Sequence, residues 1–485
     1  MPNFFAHKHL SALGLAVILC IASPGYADLP DIGDSSQSFI SPVEEQKLGQ
    51  AFMRSVRQQV TLVDDLETKN YLETLGRRLV SASDNPTGDF SFFLVDEPSI
   101  NAFAGPGGHI GVHTGLMLAA RNESELAGVL AHEIAHVTQR HLYRAYEAAE
   151  RLSLPTIAAT IAAVLLSAAT DSSAGIAAVT AIQAGNIQHQ LNFTRMHEKE
   201  ADRVGISTLA KAKIDPFGMP GFFRRLQKSS RLYGEGAPEF LRTHPVTTDR
   251  IAETEARAEK AGHIGQHDSI DFQLIQTRLR VLASKTPAVT LKHYYQGYQS
   301  DPDSLVRQYG LAIAYEQANE KNAAKTLAKQ LHRKQPDRML FRTTLARLHM
   351  ASGDYKLGLK LLSESLKLYG HTPYLSVHYA NALLAANQPE KAKSVLNRLI
   401  IEHSSQQPTV YSLLAKAASA SGRLWEARQS MAEAYFYDGQ TKAAIQQLTL
   451  ALKSTKLTHY NRSKIEARLA ELKKNLPDLK SKNKH

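Results

Sequence analysis

Four segments in the C-terminal third of this chain align on one another: "YGLAIAYEQANEKNAAKTL", "TLARLHMASGDYKLGLKLL", "YANALLAANQPEKAKSVL" and "LAKAASASGRLWEARQSM". Their small residues Ala312, Ala346, Ala380 and Ala415 fall 34, 34 and 35 positions apart. Past a turn in each comes a second small residue: Ala324, Gly358, Ala392 and Ala427. A helix–turn–helix unit of this length cannot bury its apolar face alone, so neighbouring units must stack into an α-solenoid. Small side chains at fixed places let the paired helices approach closely. "AYFYDGQTKAAIQQLTLALK" reads as a further unit, which predicts four or more repeats.

The period and the small-residue positions are those of tetratricopeptide repeats. Such an array carries no catalytic constellation and is expected to dock an extended peptide or a partner's helix. Tyr374, Tyr379, Tyr411, Trp425, Tyr435 and Tyr437 are amphipathic and suit a groove, although most are expected in the core. The resulting division is 1–27 signal peptide, 28–265 first globular domain, 266–470 linker helix and repeats, and 471–485 basic disordered tail. The tail holds five lysines and accounts for part of the formal charge of +11. Basic and aromatic residues do not interleave as on a nucleic-acid platform, so no nucleic-acid partner is expected.

At the N-terminus, "MPNFFAHKHLSALGLAVILCIASPGYADLP" has a weakly basic start and an apolar run of about a dozen residues. A break follows at Pro24 and Gly25, with the small residues Gly25 and Ala27 set for cleavage after Ala27. This predicts a secretory signal peptide and a periplasmic mature chain. The run is short for an uncleaved membrane anchor, and Leu19 before Cys20 disfavours a lipoprotein. Cys20 is the only cysteine, so the mature chain has no disulfide and no thiol chemistry.

Between these ends the pattern mixes helix with a little strand. Ser41, Pro42 and Glu44 predict a capped helix start. "DFSFFLVDEP" (89–98) and "GGHIGVHTGLM" (107–117) read as strands, the second entered through two glycines. Asn122 and Glu125 predict a second capping box, opening a helix to about residue 150. The apolar stretch 154–188 reads as a helical hairpin that packs on the core or touches a membrane surface, each half being too short to span a bilayer. A helix is expected over "MHEKEADRVG" (196–205) and a loop over "FLRTHPVTTDR" (240–250).

"LAGVLAHEIAHVTQRH" (126–141) carries the chemistry. Residues four apart share a helix face, so His132 and His136 can chelate one ion. Glu133 lies beside them, placed to take a proton from a water at the metal. The uncharged flanks Leu130, Ala131, Ile134, Ala135 and Val137 predict a buried helix. A third ligand must come from elsewhere. Glu198 and Asp202, four apart in "HEKEADRVG", could supply a ligand and an acceptor that fixes a histidine tautomer. The alternative is a solvated charged face with Lys199 and Glu200 as ordinary members. His109 and His113 read as surface or supporting residues, and His141 and His197 as surface residues.

The order "NAFAGPGGHIGVHTGLM", H-E-x-x-H, E-x-x-x-D and "HP…R" resembles the HtpX and CAAX-prenyl-protease class of zinc metallopeptidases. Signal peptide and repeats together resemble the periplasmic beta-barrel assembly-enhancing proteases of Gram-negative bacteria. The resemblance implies a mainly α fold: a mostly helical zincin-type metallopeptidase domain with a small β-sheet, followed by the solenoid. It implies endopeptidase activity with one zinc ion per chain, held by His132, His136 and Glu198. Glu133 becomes the general base, and His244 and Arg250 join the active site. His244 would donate a hydrogen bond to the tetrahedral intermediate or bind zinc as a fourth ligand that makes the resting enzyme latent. The strand after Gly108 is expected at the cleft rim, pairing with substrate backbone. The implied partners are unfolded or stalled outer-membrane β-barrel proteins and their assembly machinery, met by the repeats, with a possible peripheral membrane contact. The other reading is a chaperone or assembly factor with a normally inactive metal site.

Overall fold

The computed structural model describes residues 40–146, 154–167, 195–233, 238–264, 269–404 and 406–474. The segment expected to be a signal peptide (1–27) and residues 475–485 lie outside them. The first helix, Pro42–Gln59, has the predicted capping box: Ser41 Oγ accepts from the Glu44 N–H, and Glu44 Oε2 accepts from the Ser41 N–H at 3.0 Å. Its buried face, Leu48, Phe52, Met53 and Val56, meets Ala158, Ile161, Ala162 and Leu166 of the helix Leu154–Ser167. This first half of the expected hairpin therefore packs on protein, and residues 168–188 lie outside the described ones. Among the described residues no helix is long and apolar enough to cross a membrane.

The sheet has three strands in the order β1-β3-β2. β1 (Ser91–Val95) runs parallel to β3 (His109–His113), and β2 (Ala102–Ala104) runs antiparallel to it. Two strand expectations need correction. The stretch 107–117 is a 3-10 turn, then β3, then a helix Thr114–Ala119. The turn forms because Gly107 and Gly108 adopt φ +71° and +72°, where a Cβ on Gly108 would strike the Asp89 carbonyl at 1.9 Å. β3 is moreover the central strand, paired on both sides, so its backbone is not free for a substrate. The edge strands are β1 and β2, and the apolar run of β2 is too short to announce itself.

The histidine helix, Glu123–Thr138, is buried from Ser124 through His136 and forms the axis of the main core. Asn122 caps it by accepting from the Glu125 N–H. The expected reciprocal half of the box is absent, because Glu125 turns to the Arg121 N–H and to Arg225. The helix stops at Thr138 rather than near 150, and Arg140 takes a left-handed conformation with φ +54° before the short helix His141–Tyr146. The acidic helix, Arg195–Lys211, crosses the histidine helix closely at Gly205, where a Cβ would lie 3.2 Å from the His132 backbone nitrogen. The expected loop 240–250 is partly helical: Glu239–Thr243 and Thr248–Ala261 flank the turn that carries His244.

Helix Ile270–Leu282 joins the two halves. Phe272, Ile275 and Leu279 enter the main core, while Leu274 and Val281 pack with Tyr309, Ile313 and Phe341 of the solenoid. Helix pairs follow from Leu305 to Lys474, and Ala312, Ala346, Ala380 and Ala415 are buried as the period requires. Residues with positive φ (Asn319, Gly353, Asn387 and Gly422) end the first helix of successive pairs. Tyr374 is buried, Tyr411 stacks on Tyr437, and Trp425 and Tyr435 pack against the terminal cluster, so these aromatics serve the core. The last helix extends to Lys474 with Leu472 buried, which moves the start of any tail past 471.

The array also closes back on the N-terminal half. Arg57 Nη1 donates to the Tyr437 carbonyl at 2.7 Å, and Arg54 lies over the Phe436 ring. Leu66 packs among Leu366, Tyr374 and Leu375. Arg278, buried, donates to Asp65 at 2.6 Å and Glu67 at 3.1 Å. Burial raises the Asp65 carboxyl, but the Arg278 bonds outweigh it and hold it at about 2. Replacing Arg278 by Met takes the main cation from buried Glu67 and half-buried Asp65, leaving Arg347 3.7 Å from Glu67, and is expected to cost about 3 kcal/mol in urea unfolding at neutral pH. Because the folded pKa of Asp65 is depressed, its contribution is full above the ordinary value of 3.8 and is lost as pH falls through about 2. The gap between wild type and Arg278→Met should therefore narrow between pH 4 and 2; a constant gap would show that Asp65 does not respond to Arg278.

Candidate metal centre

Two helices and a turn converge to build the site. The histidine helix presents His132 and His136 on one face, one turn apart. The acidic helix presents Glu198 and Asp202 in the same way. Gly205, together with Ala201 packed on Ala135, lets the two backbones approach so that these short side chains meet. The turn after Glu239–Thr243 supplies His244. That helix is tied to the entry of β2: Asn101 Nδ2 donates to Glu239 Oε1 at 3.0 Å, Ser99 Oγ donates to Glu239 Oε2 at 2.8 Å, and the Phe240 N–H donates to the Ile100 carbonyl. The Phe240 ring stacks on His244 with centroids 4.9 Å apart.

His132, His136, Glu198 and His244 are all buried and each offers one donor atom within 4.8 Å of the others. His132 Nε2 lies 3.1 Å from His136 Nε2, 3.3 Å from His244 Nδ1 and 3.4 Å from Glu198 Oε2. Glu198 Oε1 lies 3.4 Å from His136 Nε2 and 3.0 Å from His244 Nδ1. A tetrahedral site with arms of about 2.0–2.1 Å has edges of about 3.3 Å. The separations of these three imidazole nitrogens and one carboxylate oxygen match the edges of such a site.

Charge points the same way. Glu133, Glu198 and Asp202 bring three buried carboxylates, against which stands one buried guanidinium, Arg250. Arg250 donates from Nε and Nη2 to Asp202 at 2.7 and 2.8 Å, and from Nη1 it pairs with Glu198 Oε2 at 2.7 Å. An excess of negative charge in a dry interior needs a cation. The imidazoles register it: burial opposes charge on His132, yet the bonds to Asp202 and Glu198 push it up to about 9. Burial takes His136 down to about 3; since a ligand must be neutral, an ion would take the place of the proton that His132 holds. These residues fit a divalent ion with nitrogen and oxygen ligands.

Glu133 stands beside the donor set. Burial pushes its carboxyl up, tempered by His244 and His132 and, less, by the Ala104 N–H. His244 Nε2 lies 3.5 Å from Glu133 Oε1, and among the described residues neither oxygen has a full hydrogen bond. Asp202 Oδ1 is 2.9 Å from His132 Nδ1, the expected supporting contact. A shallow pocket borders the site, lined in part by Glu45, Ala104, Gly107, His136, Arg140 and Tyr143.

The Peptidase family M48 model matches residues 66–258, and a tetratricopeptide-repeat model matches residues 349–417. A Vibrio cholerae protein named as a beta-barrel assembly-enhancing protease is 35% identical over 475 residues, spanning 97% of this chain and 98% of its own. The chain belongs to the beta-barrel assembly-enhancing proteases. The Escherichia coli K12 member of that family is 32% identical over 472 residues, 96% of each chain. The mitochondrial metalloendopeptidase OMA1 of Schizosaccharomyces pombe is 29% identical over 188 residues, 39% of this chain and 52% of its own. As a family member this chain is a metalloendopeptidase with the His132–His136–Glu198–His244 set as its metal-type site.

Most residues singled out in the sequence meet here: His132, Glu133, His136, Glu198, Asp202, His244 and Arg250. Others behave differently. His109 bonds Ser91. His113 is buried and bonds Ser99 at 2.8 Å, in the network that anchors the His244 helix. His141 is not a surface residue; it is fully buried, with Nδ1 2.8 Å from His136 Nδ1. Glu200 is not merely a solvated neighbour, since Oε2 lies 3.2 Å from His141 Nε2. The third histidine of "HEIAHVTQRH" was a visible signal for this pair. The helix break that turns it inward has no glycine or proline to mark it.

Removing the Asp202 carboxylate tests the support of His132. Asp202→Ala is expected to weaken metal binding about 10–100-fold, measured by competition with a chelator. Unchanged affinity would mean that Asp202 serves only to hold Arg250.

Proposed function

We propose that this chain is an exported, zinc-dependent endopeptidase of the periplasm that degrades or assists the assembly of misfolded outer-membrane β-barrel proteins. One zinc ion per chain, held by His132, His136 and Glu198, is the reading that the donor spacing and the charge excess support. When bound, zinc supplies Lewis acidity that activates water and polarises a carbonyl. Glu133 takes the proton of the attacking water and returns it to the leaving amine. The observation that carries this reading is the Glu133 carboxylate itself: buried, raised in pKa, and without a full hydrogen bond among the described residues, it keeps its lone pairs for a reacting proton. A protein that only bound metal would have no use for it. Arg250 orients Asp202 and Glu198 and so supports the site from behind.

Substrate backbone is expected on the free edge of β2, where the Ala104 N–H faces the Glu133 side of the cleft. The repeats dock clients or the barrel assembly machinery, the relatives' names supplying the client class. The rest of the apolar stretch for which a membrane contact was expected lies outside the described residues.

The placement of His244 favours the latent form of the enzyme. Its Nδ1 sits within the donor set, 3.0 Å from Glu198, and its Nε2 faces Glu133. In that position it could serve as a fourth ligand to a bound ion, at a place which a catalytic metal keeps open. Withdrawn a little, the same ring could donate to the tetrahedral intermediate. The four-donor set is also what an assembly factor with a shut site would have, so the two readings must be separated by assay.

The test is zinc content and cleavage of an unfolded outer-membrane barrel by purified mature protein, for wild type, Glu133→Gln and His244→Ala. All three are expected to bind zinc, Glu133→Gln to lose about 10²–10⁴ in rate, and His244→Ala to cleave faster than wild type. If wild type and His244→Ala hold zinc but never cleave, the assembly-factor reading replaces this one.

A further inference from the structure

The two histidines of the H-E-x-x-H pair are held from behind by different chemistry. His132 Nδ1 has a carboxylate, Asp202, at 2.9 Å. His136 Nδ1 is 2.8 Å from another imidazole nitrogen, His141 Nδ1. Counting protons settles the direction. His136 offers Nε2 to the donor set, so its Nδ1 bears the hydrogen and donates. His141 Nδ1 must then be the acceptor, which places the His141 hydrogen on Nε2, the atom 3.2 Å from Glu200 Oε2. With His136 Nε2 given to the donor set, this arrangement satisfies both the His136–His141 and the His141–Glu200 contacts.

We propose that Glu200 and His141 form a relay that fixes the ligating tautomer and ring orientation of His136. Both are positioning residues, and the proposal rests on the metal reading of His132, His136, Glu198 and His244.

The backbone is built for it. On an uninterrupted helix residue 141 would lie about 140° round from residue 136, out of reach of its ring. The chain instead ends the histidine helix at Thr138 and places Arg140 at φ +54°, which returns His141 beside His136. A left-handed arginine is unfavourable, and such outliers persist where the surroundings impose them. Here Arg140 Nη1 is held by Glu45 at 3.2 Å and its guanidinium lies over the Tyr143 ring. The His197 ring stacks on His141 at 4.4 Å, closing the other face. Glu200 is set by its own helix, with Arg144 and Arg203 within 3.7 and 3.6 Å. The acidic helix thus supplies three carboxylates in sequence order: Glu198 to the donor set, Glu200 to the support of His136, and Asp202 to the support of His132.

Zinc affinity reads the relay directly. The full-length mature protein, stripped of metal, is titrated with zinc against a chromogenic chelator, and folding is followed by thermal melting. His141→Leu removes the acceptor and is expected to weaken zinc binding about 10–100-fold. His141→Asn places an amide oxygen where Nδ1 stood and is expected to keep affinity within about threefold of wild type, although it packs no better than leucine. Glu200→Ala frees the His141 tautomer and is expected to fall between the two. Rescue by asparagine without a matching gain in melting temperature separates positioning from packing. The relay is overturned if His141→Leu binds zinc as wild type does, or if His141→Asn is as weak as His141→Leu. If wild type binds no zinc, or His136→Ala binds it equally well, the metal reading itself fails and takes the relay with it.

Discussion

The close crossing of the histidine helix and the acidic helix governs the molecule. At Gly205 the second backbone comes within reach of the His132 amide, and no residue with a Cβ could stand there without moving Met219 or the histidine helix. Everything chemical follows from that proximity. Short carboxylates on one helix meet imidazoles on the other, and each helix offers its pair one turn apart. A wider crossing would leave the same residues in the sequence but too far apart to share an ion.

Bringing these groups together has a large desolvation penalty. Arg250 offsets part of it by pairing with both Asp202 and Glu198, and the remaining negative charge is the reason the site suits a cation. The apolar packing of Leu126, Leu130, Ile134, Phe222, Phe223 and Phe240 keeps the cluster dry, which strengthens each of its electrostatic contacts. Glu133 is placed in the same dry space with its oxygens left nearly free. Core, charge balance and the candidate base are therefore one construction. The helix Ile270–Leu282 extends it, with one face in the catalytic core and the other in the solenoid, and Arg278 fastens the two halves through Asp65 and Glu67.

Much of this was legible in the linear chain because helices obey short spacing rules. A fixed four-residue interval states that His132 and His136, or Glu198 and Asp202, share a face. A 34-residue period with small residues states that helix pairs stack. The Ser41–Glu44 cap is local and formed as read. Where the reading failed, the deciding contact was distant. Glu125 abandoned its expected capping partner for Arg225, a hundred residues away. The 107–117 stretch has strand-like residues throughout, but Gly115 meets the Pro98 and Ser99 carbonyls, and the chain turns into a helix there. β3 was expected at an edge, yet β2, three residues long, covers it.

The sequence by itself determined the two architectures, the pairs of residues that share helix faces, and the family, since each depends on local periodicity or on motif order. The tertiary structure decided which carboxylate meets which imidazole, that His244 lies within the donor set, and that His141 turns inward to His136. Those outcomes depend on helix crossing distances and on one left-handed residue at Arg140, quantities set by packing between segments far apart in the chain and written in no single stretch of it.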